Sequence, residues 1–157
     1  MTKIDETYLL DGNNASVIPL PHDCEIKDIR EDDDHLIIDF EDDIADHDAI
    51  KTVHSDAQTL TVRFHLEYDG LQGIYRYRRS KKHGEGYMLV KSLKKLRELM
   101  KECIIPATYL YHYVTYHQVI VELCVDDSIL LMIWADSVEF EWTLKERDET
   151  DHIEPIS

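Results

Sequence analysis

Ile129-Leu130-Leu131-Met132-Ile133-Trp134-Ala135, followed after Asp136-Ser137 by Val138-Glu139-Phe140-Glu141-Trp142-Thr143-Leu144, decides the fold class. The first seven residues are apolar at every position. Such a run suits a central strand covered on both faces. The second seven alternate, with Val138, Phe140, Trp142 and Leu144 on one side and Glu139, Glu141 and Thr143 on the other. That is the period-two signature of a half-buried strand.

The same alternation recurs upstream. Leu60, Val62, Phe64 and Leu66 interleave with Thr61, Arg63 and His65, and Leu36, Ile38 and Phe40 interleave with Ile37, Asp39 and Glu41. Further strands are predicted at Cys24–Ile29, Ile74–Arg78, Tyr87–Val90, Tyr109–Tyr116 and Val119–Val125. Ile26 and Ile29 break the period of two, which points to a β-bulge. Turns are expected at Asp32-Asp33-Asp34, at Asp69-Gly70, in the hairpin loop Lys81–Gly86 and at Asp126-Asp127-Ser128. A short helix or edge strand is expected around Ala49, Ile50 and Val53.

One segment has helical spacing. Ser92 is a suitable N-cap, and Leu93, Leu96, Met100 and Cys103, with Leu99 beside them, form one apolar stripe opposite Lys94, Lys95, Arg97 and Lys101. Pro106 stops the chain from continuing as helix. The expected fold is therefore α+β: a mainly antiparallel, curved or barrel-like sheet with one long amphipathic helix over about 92–103. The expected organisation is a single domain over 1–157, with an irregular start at 1–18 and a frayed, polar tail at 145–157.

Composition narrows the function classes. Apolar residues make up 43% and charged residues 32%, which places the chain among folded globular proteins rather than disordered ones. The longest apolar run has seven residues, whereas a membrane helix needs about 20. Tyr8-Leu9-Leu10 is too short for a secretory core. Cys24, Cys103 and Cys124 are odd in number and far apart, which fits small buried thiols in a reducing compartment. The expectations are a cytoplasmic location and no membrane partner.

The net charge of −16 opposes nucleic acid and anionic lipid and favours a basic partner protein. The charge is segregated: residues 22–48 carry −11, residues 49–102 carry +6 and residues 103–157 carry −9. Within the basic middle, Tyr75, Tyr77 and Arg79 share one strand face, and Arg76 and Arg78 share the other. Aromatics beside arginine suit single-stranded nucleic acid, but the acidic flanks repel phosphate. Internal pairing with acids is the simpler account.

The residues Pro21-His22-Asp23-Cys24-Glu25-Ile26, followed by Leu36-Ile37-Ile38-Asp39-Phe40-Glu41-Asp42, resemble the opening hairpin of small bacterial proteins that begin with a His-Asp-Cys/Ser-x-Ile stretch. Most of these are uncharacterised, and some are immunity proteins that neutralise a toxin. The resemblance covers about 20 residues and implies no catalytic role for His22, Asp23, Cys24 or Ile26.

Candidate chemistry is sparse. His22 and Cys24 share a strand face and are weak candidates for a soft divalent metal, with His35, His112 or His117 as further ligands. The acids at 31–34 and 42–48 lack the glycine-bearing pattern of a calcium loop. Glu139 and Glu141 have a spacing open to glycosidase chemistry. Lys81-Lys82-His83-Gly84-Glu85-Gly86 lacks the spacing of a phosphate-binding loop. No nucleophile elbow is present. The leading expectation is a non-catalytic protein that binds another protein, of immunity type, without a cofactor and with a basic partner docking on Asp32, Asp33, Asp34, Asp42, Asp43, Asp46 and Asp48. Tyr109, Tyr111 and Tyr113 line one strand face and form a second candidate interface. The alternatives are a metal-binding protein or hydrolase using His22 and Cys24, and a phage or structural protein that self-associates as a homo-oligomer.

Overall fold

The computed structural model describes residues 2–82 and 84–146. Eight strands form one antiparallel sheet: β1 (Thr2–Leu9), β2 (Ile26–Asp32), β3 (His35–Phe40), β4 (Ala57–Ser80), β5 (Gly84–Leu89), β6 (Thr108–Thr115), β7 (Gln118–Val125) and β8 (Asp127–Leu144). A 3-10 turn (Ile44–Asp46) and a one-turn helix α1 (Asp48–Lys51) fill the connection from β3 to β4. Helix α2 (Leu93–Glu102) joins β5 to β6. No helix among the described residues is long and apolar enough to cross a membrane.

The spine is the pair β4–β8, of 24 and 18 residues. Each spine strand changes neighbours partway along. β4 pairs first with β3 and then with β5, while β8 pairs first with β7 and then with β1. Two strand arrays, β2-β3-β4-β8-β1 and β5-β4-β8-β7-β6, thus share the same two central strands.

A bulge makes this possible. Along β8 the buried positions are Ile129, Leu131, Ile133 and Ala135, then Val138, Phe140 and Trp142. The register passes from Leu66↔Ala135 to His65↔Ser137, which leaves Asp136 as the extra residue. Because side chains alternate with period two, one inserted residue resets the phase and keeps both halves of β8 facing the same core. Buried hydrophobic residues of β2, β3, β4, β6, β7, β8 and α2 form one cluster, with the half-buried Ile4 and Tyr8 of β1 packed against it.

Several expectations are corrected. The sheet is not closed into a barrel: β2 and β6 are not paired as strands, and the chain segments beside them meet at the isolated bridge Glu25↔Thr108, where Asp23 N donates to Tyr109 O at 2.7 Å, Tyr109 N to Cys24 O at 3.0 Å and Ile26 N to Ala107 O at 2.8 Å. The helix over 92–103 is not long; it has ten residues, because Cys103 is already extended. Residues 1–18 do not start irregularly, since residues 2–9 are a strand on β8. Its inner row of Ile4, Glu6 and Tyr8 is half-buried, and Glu6 accepts a hydrogen bond from Trp142 Nε1 at 2.7 Å. Asp69-Gly70 does not reverse the chain. Gly70 (φ 64°) and Tyr68 (φ 50°) sit in an irregularity that β4 crosses without stopping. Leu130, Met132 and Trp134 are half-buried, so the apolar run of β8 is fully covered on one face only. The bulge expected between Ile26 and Ile29 is present, between Ile26 and Asp28. The expected hairpin residue His83 and the tail from 147 lie outside the described residues.

Helix α2 is capped by Ser92, whose hydroxyl accepts from Lys95 N at 3.1 Å. Leu96 is fully buried, and Leu93, Leu99, Met100 and Cys103 pack against the core at its margin. The predicted stripe is the face that docks.

Candidate functional site

The outer face of the sheet absorbs many charges in cross-strand rows. Arg63 on β4 pairs with Glu141, and with Glu139 at 3.2 Å, while Lys3 on β1 reaches Glu141 at 2.8 Å. Arg30 pairs with Asp39, and Arg97 on α2 with Asp28 at 3.0 Å. Asp5, Glu139 and Glu141 are the one group among the described residues whose carboxylates converge, within 4.8 Å of one another. Burial alone would raise the pKa of Glu141, but the bonds from Lys3 and Arg63 hold it below the usual range. A glycosidase acid needs the opposite shift. Lys3 and Arg63 already pair with Glu139 and Glu141.

His22 and Cys24 do not form a metal pair. His22 Nδ1 contacts Leu110 O at 2.6 Å, and its Nε2 faces Asp23 at 3.3 Å. Cys24 is fully buried, and burial with the nearby Asp23 pushes its thiol up to about 12. The other named histidines are dispersed. His35 faces Asp34 at 3.1 Å, and His117 Nδ1 faces Glu67 at 2.6 Å. His112 is buried, with its Nδ1 hydrogen-bonded to Tyr109 Oη at 2.7 Å and burial pushing its pKa down to about 4. Burial also pushes Cys103 up to about 11, and raises Cys124. Thiols held protonated in this way are poor nucleophiles and poor ligands.

The predicted acidic residues occupy two places. Asp32, Asp33 and Asp34 form the β2–β3 turn, while Asp42, Asp43, Asp46 and Asp48 follow β3. Six-residue β3 separates the two sets by about 20 Å. Asp34 is engaged by His65 and Asp43 by Gln58 and Lys145. Asp32, Asp33, Asp42, Asp46 and Asp48 are exposed and form no ion pair among the described residues. Asp46 and Asp48 border a shallow hollow with His22, Asp23 and His47.

The tyrosine row is split. A register shift between Tyr109 and Tyr111 turns Tyr109 inward, 1% exposed, onto the side of His112. Tyr111 and Tyr113 remain outside, 45% and 50% exposed, with their rings 4.8 Å apart. The expected three-residue face is therefore a pair.

One concavity joins residues that the sequence pattern does not bring together. Helix α2 lies beside the β4–β5 hairpin and leaves a groove of about 560 Å³ between them. Arg76 and Arg78 of β4 share a wall with Met88 and Leu89 of β5, and Lys94 and Lys95 come from the first turns of α2. The signal was present in the sequence as alternating arginines and a lysine-rich helix face. Their meeting depends on the short Val90–Ser92 connection, where Val90 N donates to Ile74 O at 2.8 Å and sets the helix against the hairpin.

Compared with family models, curated proteins and solved structures, the chain matches none.

Proposed function

We propose that the chain is a non-catalytic binding protein that recognises a basic partner protein. The observation that supports it best is the set of five exposed aspartates, Asp32, Asp33, Asp42, Asp46 and Asp48, left without ion pairs although many other charges are matched across strands. Unmatched acids around a compact strand speed the capture of a cationic surface and make it sensitive to salt. The protonated thiols and the neutral, buried His112 argue in the same direction, because they make Cys24 and Cys103 weak nucleophiles and His112 a weak base. The His22-Asp23-Cys24 resemblance gives the reading a concrete form: a cytoplasmic bacterial immunity protein whose partner is a basic toxin.

Affinity capture from the producing cell tests the reading, with the wild type and the variant D32N/D33N/D42N/D46N/D48N immobilised side by side. A basic protein held by the wild type in low salt, released in high salt and not held by the variant is the expected result. Partners retained equally by both forms would set the acidic surface aside. A second reading, self-association, draws on Tyr111 and Tyr113 standing exposed on β6 at the end of the sheet path. A light-scattering mass of one chain at high concentration would remove it.

A further inference from the structure

We propose that the groove between the β4–β5 hairpin and α2 is a binding site for a small amphiphilic anion, an aliphatic chain ending in a phosphate or carboxylate. Five cations line it, Arg76, Arg78, Lys91, Lys94 and Lys95, against one acid, Glu98. This concentration occurs in a chain of net charge −16, where ample acid exists to neutralise it. The acids are spent elsewhere. Arg79, on the other face of β4, pairs with Glu85 at 2.8 Å, and Arg97, on the other side of α2, pairs with Asp28. Within the groove, Arg76 reaches Asp127 only at 3.6 Å and Lys95 reaches Glu98 only at 3.7 Å. Arg78, Lys91 and Lys94 form no ion pair among the described residues.

The cationic wall is also short of acceptors. Among the described residues, Arg76 Nε is the one buried side-chain nitrogen or oxygen without a hydrogen-bond partner, so the protein itself supplies this guanidinium with fewer acceptors than it has donors. The opening turn of α2, with its partial positive charge, borders the same space through Ser92 and Lys94.

The floor selects the rest of the ligand. Met88, Leu89, Val90 and Leu99 line the groove, and Leu89 is 66% exposed. No aromatic side chain lines it, so nothing there stacks a nucleobase. A volume near 560 Å³ lies within the ~300–1,000 Å³ of sites that hold small organic molecules. Cations above an aliphatic floor match an alkyl phosphate or a fatty carboxylate.

Calorimetric titration with monomeric decyl phosphate, butyl phosphate and inorganic phosphate tests this on the whole chain. Saturable one-to-one binding of decyl phosphate is expected, weakened at least about tenfold in R78E/K94E. Both residues are exposed, and an unchanged melting curve confirms that the variant is folded. Leu89→Ser, also at an exposed position, is expected to weaken decyl phosphate while leaving butyl phosphate unaffected. No saturable binding, or binding that both variants leave intact, overturns the proposal. Equal affinity for inorganic phosphate overturns the amphiphile class. Binding only to vesicles containing phosphatidylglycerol assigns a lipid surface instead. Oligomers that form at low salt and are dissolved by R78E/K94E, with no uptake of decyl phosphate, assign the groove to an acidic segment of a second copy.

Discussion

Deleting Asp136 should cost the protein most of its stability, although the residue is neither buried nor apolar. Asp136 is the extra residue that rephases β8 against β4. Without it, either Val138, Phe140 and Trp142 or Ile129, Leu131 and Ile133 must turn to the outer face for the ladder to stay in register. All six side chains are at most 1% exposed. Exposing three of them at about 1.5–3 kcal/mol each gives about 5–9 kcal/mol. That is comparable with the ~5–15 kcal/mol that holds a domain of ordinary stability. Leu10 N would also lose its acceptor, Asp136 O, at 2.9 Å. Urea unfolding followed by Trp fluorescence and near-ultraviolet circular dichroism reads the effect, and the expected signal is loss of the cooperative transition. The substitution Asp136→Asn keeps the bulge and removes only the charge facing a half-exposed His65, so its cost should stay below about 1 kcal/mol. A deletion variant that unfolds cooperatively within about 1 kcal/mol of the wild type would refute the role of the bulge.

Three further outcomes follow from the titrating groups. The hydrogen bond to Asp136 at 2.7 Å, with a second to Asp34 at 3.1 Å, raises the pKa of His65 above its ordinary value. Its contribution is therefore full below about pH 6.5 and fades as pH rises through the raised folded value; the stability gap between wild type and H65Q should be largest at pH 5.5 and close by pH 8.5, and a gap independent of pH would contradict the pairing. Burial shifts His112 the other way, to about 4, so its neutral form must be protonated to follow the unfolded state in acid. Stability should drop by about 3 kcal/mol between pH 6.5 and 4 on this account, and denaturant midpoints of H112Q should show a shallower fall. Iodoacetamide at pH 8 should label Cys24 and Cys103 far more slowly than a free thiol, since burial holds them near 12 and 11. Rapid labelling of either would return nucleophilic chemistry to consideration.

The parts legible in the sequence are those in which local pattern and tertiary role agree. Leu60–Leu66 and Val138–Leu144 alternate because one face is buried, and Ser92 caps a helix whose apolar stripe docks. What was hidden depends on distant partners. β1 offers only Ile4 and Tyr8 as apolar signal on its inner row, and the Glu6 between them makes sense only beside Trp142 and His54. Asp69-Gly70 has turn chemistry, but the long partner β8 carries β4 past it as an irregularity. A register shift near Leu110 reverses the side on which Tyr109 falls, and a period-two reading has no means of detecting it. The cations of the groove could each be named as basic residues. Their convergence belongs to the placement of α2 on the hairpin.

The pairing of β1 with the far half of β8 also sets a timetable. Thr2 meets Leu144 and Leu9 meets Ser137, so β1 has no partner strand until β8 has emerged. The β2–β3 hairpin can form at once and β4 can add to it through β3, but the β4–β8 pairing waits across the whole β5–β7 region. Loop closure over such separations must precede the reward of pairing, which places folding in the slow, non-local class, on the order of milliseconds to seconds. During synthesis the second edge of β4, along Leu60, Val62 and Phe64, stands unpaired until the chain reaches Val138, Phe140 and Trp142. The strand that organises the finished molecule is thus the one most exposed to wrong partners while the molecule is being made.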